Sequence, residues 1–353
     1  MELSKIILLI RFGEIALKSN HVRKRMENLL VRNISVALKK MDFKKTNVQN
    51  YRQWSRILVT RGKRATYEQL PKYNEIAEYL ANHVPGITSV SPAITTTAEL
   101  DDIAKTSLFL AEKTFQKGFS FAVRARRTGE HPYRSIDLER KIGGHLFEHL
   151  QEKMDLTVNL DNPDITLGIE VRDQNTFIFT RVYQAIGGLP QGTQGNLGAI
   201  LRGSLQDALA AFLLSKRGMI PIPIVFLLES EHSKFQNEIA IKKQLDFLKY
   251  LSPFENPFYY KVNFSFILEQ IGFNRLTCSI CDRVCTRIAQ KIVQKESLSA
   301  FSVGNEDFML RNRLPVKMPL ESSPPLFYPL ITLNEKDISS PLPSLASSFC
   351  FSS

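Results

Sequence analysis

Apolar positions along the chain recur with two periods, and the period decides which element each stretch predicts. Ile6–Arg11 is a short apolar run that predicts a strand. From His21 to Lys40, Met26, Leu29, Leu30, Ile34, Ala37 and Leu38 fall on one face of a helix, with Asn20 placed to cap it. Ser55–Thr60 predicts a strand, Lys72–Asn82 a helix, and Gly86–Ile94 a strand broken by Pro92. A helix over Asp101–Lys117, a strand over Phe119–Arg124 and a helix over Ser135–Leu150 follow. Strands over Asp164–Arg172 and Asn175–Tyr183 are joined by the hairpin-like "DQ". Ala185–Asn196 is glycine-rich and polar, a linker by composition. Beyond it the texture changes. Apolar strands Leu197–Leu201 and Ile220–Phe226 alternate with helices Ser204–Lys216 and Asn237–Tyr250, the pattern of a parallel sheet. A helix over Asp282–Lys295 follows a cluster of cysteines, and after Pro315 regular signals fade into Ser/Pro-rich sequence.

Charge adds a partner class. The net charge of +11 is concentrated in residues 1–64, which hold sixteen Lys and Arg against four Asp and Glu. A basic N-terminal region on a near-neutral body suits a polyanion, nucleic acid foremost, with a merely solvated basic face as the alternative. The apolar runs Ile6–Ile10 and Met219–Leu228 are too short to span a bilayer. No secretory signal is visible, and four cysteines in 353 residues make no disulfide scaffold. A cytoplasmic protein without membrane contact is expected.

Four places hold residues with candidate chemistry. Arg124, Arg126 and Arg127 end a predicted strand, and Arg134 and Lys141 flank the start of the next helix, which Ser135 is placed to cap; guanidiniums beside a helix N-terminus suit phosphate, and ion pairs to Asp137 and Glu139 are the plainer alternative. Arg11, Lys18, Arg23, Lys24 and Arg25 form a second basic group, equally readable as an exposed helix face. Cys278 and Cys281 in C-x-x-C spacing, with Cys285 and Cys350 further on, suit a zinc ion or iron–sulfur cluster, a redox pair, or packing inside a helix. Last, "RGSLQD" (Arg202–Asp207) lies between a strand and a helix at the ligand edge of the predicted parallel sheet, where Gly203 and Ser204 offer backbone N–H groups to a phosphate. It does not match the Walker pattern, and an ordinary tight turn is the alternative.

Taken in order, "RFGEIALKS", "VRARRTGEHPYRSIDLERKIG", "GGLPQGTQG", "LSKRG", "TCSICDRVCTRIAQKI" and "PLITLNEKDI" resemble the motifs of the tRNA 4-thiouridine synthase family, the thiamine-biosynthesis type of tRNA sulfurtransferase. The resemblance covers nearly the whole chain. It implies a multidomain protein of α/β and α+β class: an N-terminal ferredoxin-like α+β domain (1–75), a THUMP α/β domain that binds RNA (76–184), the linker (185–196), and a parallel-sheet PP-loop ATP-pyrophosphatase domain (197–338). That last domain is Rossmann-like, of the adenine nucleotide alpha hydrolase type, and is followed by a loosely ordered segment (339–353).

The first two domains would hold the acceptor stem of tRNA. ATP with magnesium would adenylate the uridine, and sulfur from a donor such as a cysteine desulfurase would displace AMP. The resemblance places the nucleotide at Ile200, Leu201, Gly203, Ser204 and Gly304. Sulfur handling falls to Cys278 and Cys281, and a cluster or zinc to these two with Cys350. It also implies a homodimer.

The departures concentrate in the nucleotide loop. Where the family reads S-G-G-x-D-S, this chain reads Arg202-Gly203-Ser204-Leu205-Gln206-Asp207. Gln206 lacks the charge that would hold magnesium. Asp207 replaces a hydroxyl with a negative charge, and Arg202 is bulky enough to fill a phosphate pocket. Asp282 stands where the family carries lysine, and Met309 and Arg313 where it carries glutamines. Two readings follow: an active uridine sulfurtransferase, or a tRNA-binding scaffold or partner subunit without ATP chemistry. A third keeps the cysteines for sulfur delivery and takes activation from a partner.

Overall fold

The computed structural model describes residues 5–62, 67–227, 234–250, 258–271, 277–304, 324–331 and 333. Their contacts divide the chain into two compact units, Met1–Gly187 and Gly188–Ser353.

The first unit runs β1 (Ile6–Arg11), α1 (Asn20–Lys40), β2 (Thr46–Tyr51), β3 (Arg56–Arg61), α2 (Leu70–His83), β4 (Ser89–Thr97), α3 (Leu100–Thr114), β5 (Ser120–Thr128), α4 (Ser135–Met154), β6 (Thr157–Val158), β7 (Ile165–Arg172), β8 (Asn175–Phe179) and β9 (Tyr183–Gln184). These strands make one sheet in the order β2-β3-β1-β4-β8-β7-β5-β6, with β9 also on β4. The first six elements, βαββαβ with strand order β2-β3-β1-β4, are the ferredoxin-like arrangement. The antiparallel ladder between Ile94–Thr97 and Asn175–Ile178 continues that sheet into the α/β half. Residue 75, where the sequence suggested a module boundary, lies inside α2.

Several local expectations change, each for a physical reason. Ser19, not Asn20, precedes the first turn of α1; it is extended, its carbonyl accepts from Arg23 N at 2.7 Å, and its side chain makes no cap bond. Pro92 does not break β4. It stands opposite Leu8 of β1, while on the other side β9 pairs only at Ser89–Val90 and β8 only from Ile94, and a proline fits where the ladder is interrupted. Strand β5 runs on to Thr128 because β7 pairs with it in parallel register as far as Arg172. Arg134 occupies the cap of α4 in place of Ser135, because Asp137 three residues on accepts the Arg134 N–H at 3.2 Å. The 185–196 segment is tied at both ends: Ile186 N donates to Ala81 O at 3.1 Å, and Gly192 N to Gly218 O at 2.9 Å.

The second unit runs β10 (Asn196–Leu201), α5 (Leu205–Lys216), β11 (Ile220–Leu227), α6 (Lys234–Tyr250), β12 (Tyr260–Asn263), α7 (Ser265–Ile271), α8 (Thr277–Lys295), β13 (Ala300–Ser302) and β14 (Leu326–Phe327). All five strands are parallel, in the order β12-β11-β10-β13-β14. The order steps outward in both directions from β10, so the crevice at its carboxyl end, the 202–207 turn, is the ligand position of an open α/β sheet. Ser204 caps α5, its hydroxyl accepting from Asp207 N at 3.3 Å. The cysteines do not form a tight turn: α8 begins at Thr277, before them. Cys285, with Ala289 and Val293, is buried against Ile224, Phe226 and Phe301 of the sheet, and this apolar stripe draws the C-x-x-C segment into the helix.

Candidate functional site

In the first unit the basic residues separate into two classes. Arg124 and Arg126 alternate with buried Ala125 along β5, so both project from one face and both are exposed, Arg124 with its Nη2 donating to Leu160 O. With Arg11, Glu139, Glu170 and Phe179 they line a groove of ≈ 450 Å³. Arg11 is committed to the floor: its Nε lies 2.6 Å from Glu170, its Nη1 donates to Ser91 Oγ at 2.9 Å, and its guanidinium rides 4.9 Å above the Phe179 ring. Glu170 also accepts from Arg56 and Arg172, both at 3.0 Å. Burial alone would raise the Glu170 carboxyl, but Arg11 and Arg56 outweigh it and hold it at about 2. Arg11, Arg124 and Arg126 against Glu139 and Glu170 leave the groove lining net positive.

The remaining basic residues lie elsewhere. Arg23 is bonded to buried Glu27 at 2.7 Å, while Lys18 and Lys24 are exposed. Arg127 folds back to donate to Gly129 O at 3.1 Å. Arg134 is exposed but pairs with Asp137 at 2.9 Å, which raises the guanidinium pKa and lowers that of the carboxyl, the hydrogen bond being the chief cause. Lys141 lines a different pocket, of ≈ 270 Å³, with Glu99, Asp101 and Glu130.

In the second unit the turn after β10 is closed by its own side chains. Asp207 is buried and accepts four bonds: from Arg202 N at 3.0 Å, Arg202 Nε at 3.1 Å, Arg202 Nη2 at 2.7 Å and Gly304 N at 3.0 Å. Arg202 Nη1 reaches Asp282 at 2.7 Å. Gly203, with φ 97°, donates its N–H to Gln244 Oε1 at 3.1 Å. Burial lowers the Arg202 pKa, and Asp207 more than offsets this, so the guanidinium stays charged. Ile200 and Leu201 are buried in the sheet beneath the turn. Gly304 packs so closely that a Cβ there would lie 2.3 Å from Gln206 C and Asp207 N.

The turn commits its charged side chains and two of its amides to protein partners. Gln206 is neutral, the one carboxylate in the turn is saturated by Arg202 and Gly304, and the amides of Arg202 and Gly203 point inward at protein acceptors. Cys281 is half-buried, and burial, the largest cause, pushes the Cys285 thiol up to about 12. Among the described residues no three His, Cys, Asp or Glu side chains gather to hold a metal ion. Cys350, Met309, Arg313, and the side chain of Cys278 lie outside the described residues.

Family models match in two adjoining stretches: the ThiI ferredoxin-like domain over residues 7–91 and the THUMP domain over residues 97–181. A probable tRNA sulfurtransferase of Methanosarcina mazei is 30% identical over 94% of this chain and 80% of its own length. The chain belongs to the tRNA sulfurtransferase family. A probable tRNA sulfurtransferase of Methanocaldococcus jannaschii is 28% identical over 96% of this chain and 87% of its own length. Among solved structures, a Pyrococcus horikoshii protein is 27% identical with a TM-score of 0.69, covering 97% of this chain and 99% of that one. A 4-thiouridine synthetase–RNA complex with bound ATP shares the fold, at 23% identity and a TM-score of 0.69, over 95% of this chain and 83% of that one.

Within this tRNA sulfurtransferase family member, three residues that fix site side chains or backbone, each within its own unit, escape a reading of motifs. Glu170 binds Arg11 from 159 residues away. Gln244 holds Gly203 across 41 residues, and Glu27 anchors Arg23 and Arg52. Two carried a signal. Glu27 falls between Met26 and Leu30 on the apolar face of α1, and Gln244 falls beside Ile241, Phe247 and Leu248 on that of α6. A polar residue on an apolar stripe is there for a partner.

Proposed function

We propose that this tRNA sulfurtransferase family member binds tRNA through its first unit, at the acceptor stem, and that its parallel-sheet unit is a scaffold without ATP-dependent uridine thiolation. The observation that carries the second half is the four-fold saturation of Asp207, which fills with protein donors the turn that would cradle a phosphate. The first half is supported by the exposed Arg124 and Arg126 in a groove whose lining is net positive. In this reading a partner subunit supplies what chemistry the tRNA receives, and no sulfur donor need dock on Cys281. The opposite reading, an enzyme that adenylates uridine and takes sulfur from a donor, draws support from the ATP in the 4-thiouridine synthetase of the same fold.

Calorimetry with ATP and magnesium, with and without tRNA, tests the proposal. No heat of nucleotide binding is expected, while tRNA binds with an affinity that falls steeply with salt as counterions are released. Micromolar ATP binding followed by thiouridine formation would overturn the scaffold reading. Absence of salt-dependent tRNA binding would overturn the RNA reading.

A further inference from the structure

The hairpin between β2 and β3, "YRQWSR" (Tyr51–Arg56), is pinned from three sides. Arg52 Nε donates to buried Glu27 of α1 at 2.7 Å. Trp54 Nε1 donates to Asp173, in the β7–β8 turn, at 2.7 Å. Arg56 Nε donates to Glu170 of β7 at 3.0 Å. Arg23 closes the fourth edge, donating to Arg52 O at 2.9 Å and Ser55 Oγ at 3.1 Å. A six-residue hairpin held by this many long-range bonds is rigid, and what it displays is held in place before any partner arrives.

What it displays is aromatic. Phe177 lies in the core, Trp54 leans on it edge-on with centroids 6.1 Å apart, and Tyr51 stacks flat on Trp54 at 4.6 Å with the planes 6° apart. The rings climb from the buried face of the sheet to the surface: Phe177 is 2% exposed, Trp54 7%, and Tyr51 is the partly exposed outer step, its hydroxyl bonded to Gln49 in solvent. A ring needed only to fill the core would be covered as Trp54 is. Beside this step stand exposed Gln53 and the Arg52 guanidinium, whose side chain is 46% exposed. Arg23 and Arg52 share the carboxylate of Glu27, and Asp173 sits on the far side of Trp54, bonded to its indole.

We infer that Tyr51 is a stacking platform for a nucleobase of an unpaired RNA strand, with Arg52 taking an adjacent phosphate. A flat ring backed by a second ring, with a guanidinium at its edge, is the chemistry that holds single-stranded nucleic acid without reading its sequence. The inference rests on the proposed binding of RNA and adds to it a contact on the hairpin, outside the groove lined by Arg124 and Arg126.

The 353-residue chain carries Trp54 as its single tryptophan, so its emission reports on this hairpin alone. Titration with a 12-nucleotide oligoadenylate is expected to quench that emission. Tyr51→Leu is expected to weaken oligoadenylate binding about tenfold, whereas Tyr51→Phe, which keeps the ring and controls for folding, stays within about twofold of the parent. Equal affinities for Tyr51→Leu and the parent, with tRNA still bound in a salt-dependent manner, would overturn this inference alone. Failure of the parent to bind either oligoadenylate or tRNA would overturn the RNA reading beneath it and this inference with it.

Discussion

Arg202 and Asp207, five residues apart at the ligand edge of the parallel sheet, close on each other through three hydrogen bonds of 2.7 to 3.1 Å. The pair is intramolecular, largely out of water, and extended by Asp282 and Gly304, so it holds the turn in one shape. Removing Asp207 leaves Arg202 with Asp282 as its counter-charge and leaves the Gly304 N–H without its acceptor. Asp207→Ala is expected to destabilise the second unit by about 1–3 kcal/mol. Asp207→Asn, which keeps the shape and some of the bonds, is expected to cost less. Thermal melts of the two variants check the order, and an Asp207→Ala melt equal to the parent's would show the closure to be idle.

Gly168 and Phe179 make a second pair with a consequence. A Cβ on Gly168 would lie 2.3 Å from the Phe179 ring, the ring over which Arg11 is held. Gly168→Ala is expected to displace that ring at a cost of about 1–3 kcal/mol. Because Arg11 loses its seat, tRNA affinity falls as well. A melt paired with a filter-binding isotherm reads both effects.

His83 sets an acid limit. It is 2% exposed, stacked on Tyr79 with its Nδ1 2.6 Å from the Tyr79 carbonyl, and burial pushes its pKa down to about 4. The unfolded chain takes up this proton near pH 6.5 and the folded one only near 4, so the stability linked to neutral His83 is whole above 6.5 and is lost as pH falls toward 4, up to about 3 kcal/mol. Glu170, held at about 2, gives its own loss only between the ordinary glutamate range and about pH 2. Denaturant midpoints measured from pH 7 to pH 4 are expected to fall in the parent and to flatten in His83→Phe.

The two described cysteine side chains differ in reactivity. Cys285 is 4% exposed and its thiol is raised to about 12, so at pH 8 about one molecule in ten thousand carries the thiolate. Iodoacetamide at pH 8 is expected to label Cys281 first and Cys285 only on unfolding, as peptide mass spectrometry would show. Rapid labelling of Cys285 in the folded protein would refute its burial against the sheet.

Element types were legible because apolar periods are local. The helix of α1 and the strand of β1 follow from residues that lie side by side in sequence. Element ends were less so, since partners elsewhere decide them: β5 reaches Thr128 because β7 is there to pair with it. The cysteines show a different limit. C-x-x-C spacing suits a metal turn and a helix alike, and only the continued apolar series at Cys285, Ala289 and Val293 favoured the helix. At the candidate sites, residue types were legible and their engagements were not. "RGSLQD" announced odd chemistry for a phosphate loop, but nothing in it said that Arg202 would turn inward onto Asp207 rather than outward to an anion. Likewise Arg11 and Arg126 read as two members of one basic class, until a glutamate 159 residues from Arg11 separates the anchored from the displayed.

The ladder between β4 and β8 bears on how this protein is to be dissected. The ferredoxin-like match ends at residue 91 and the THUMP match begins at residue 97, so the gap between them falls inside β4, a strand shared by both halves of one sheet. A chain cut at that gap would bare two raw edges, each offering unpaired amides and carbonyls to any neighbouring molecule. Isolated halves would therefore aggregate, and a graft or a crystallisation fragment must carry the sheet entire, from before β1 to Gly187.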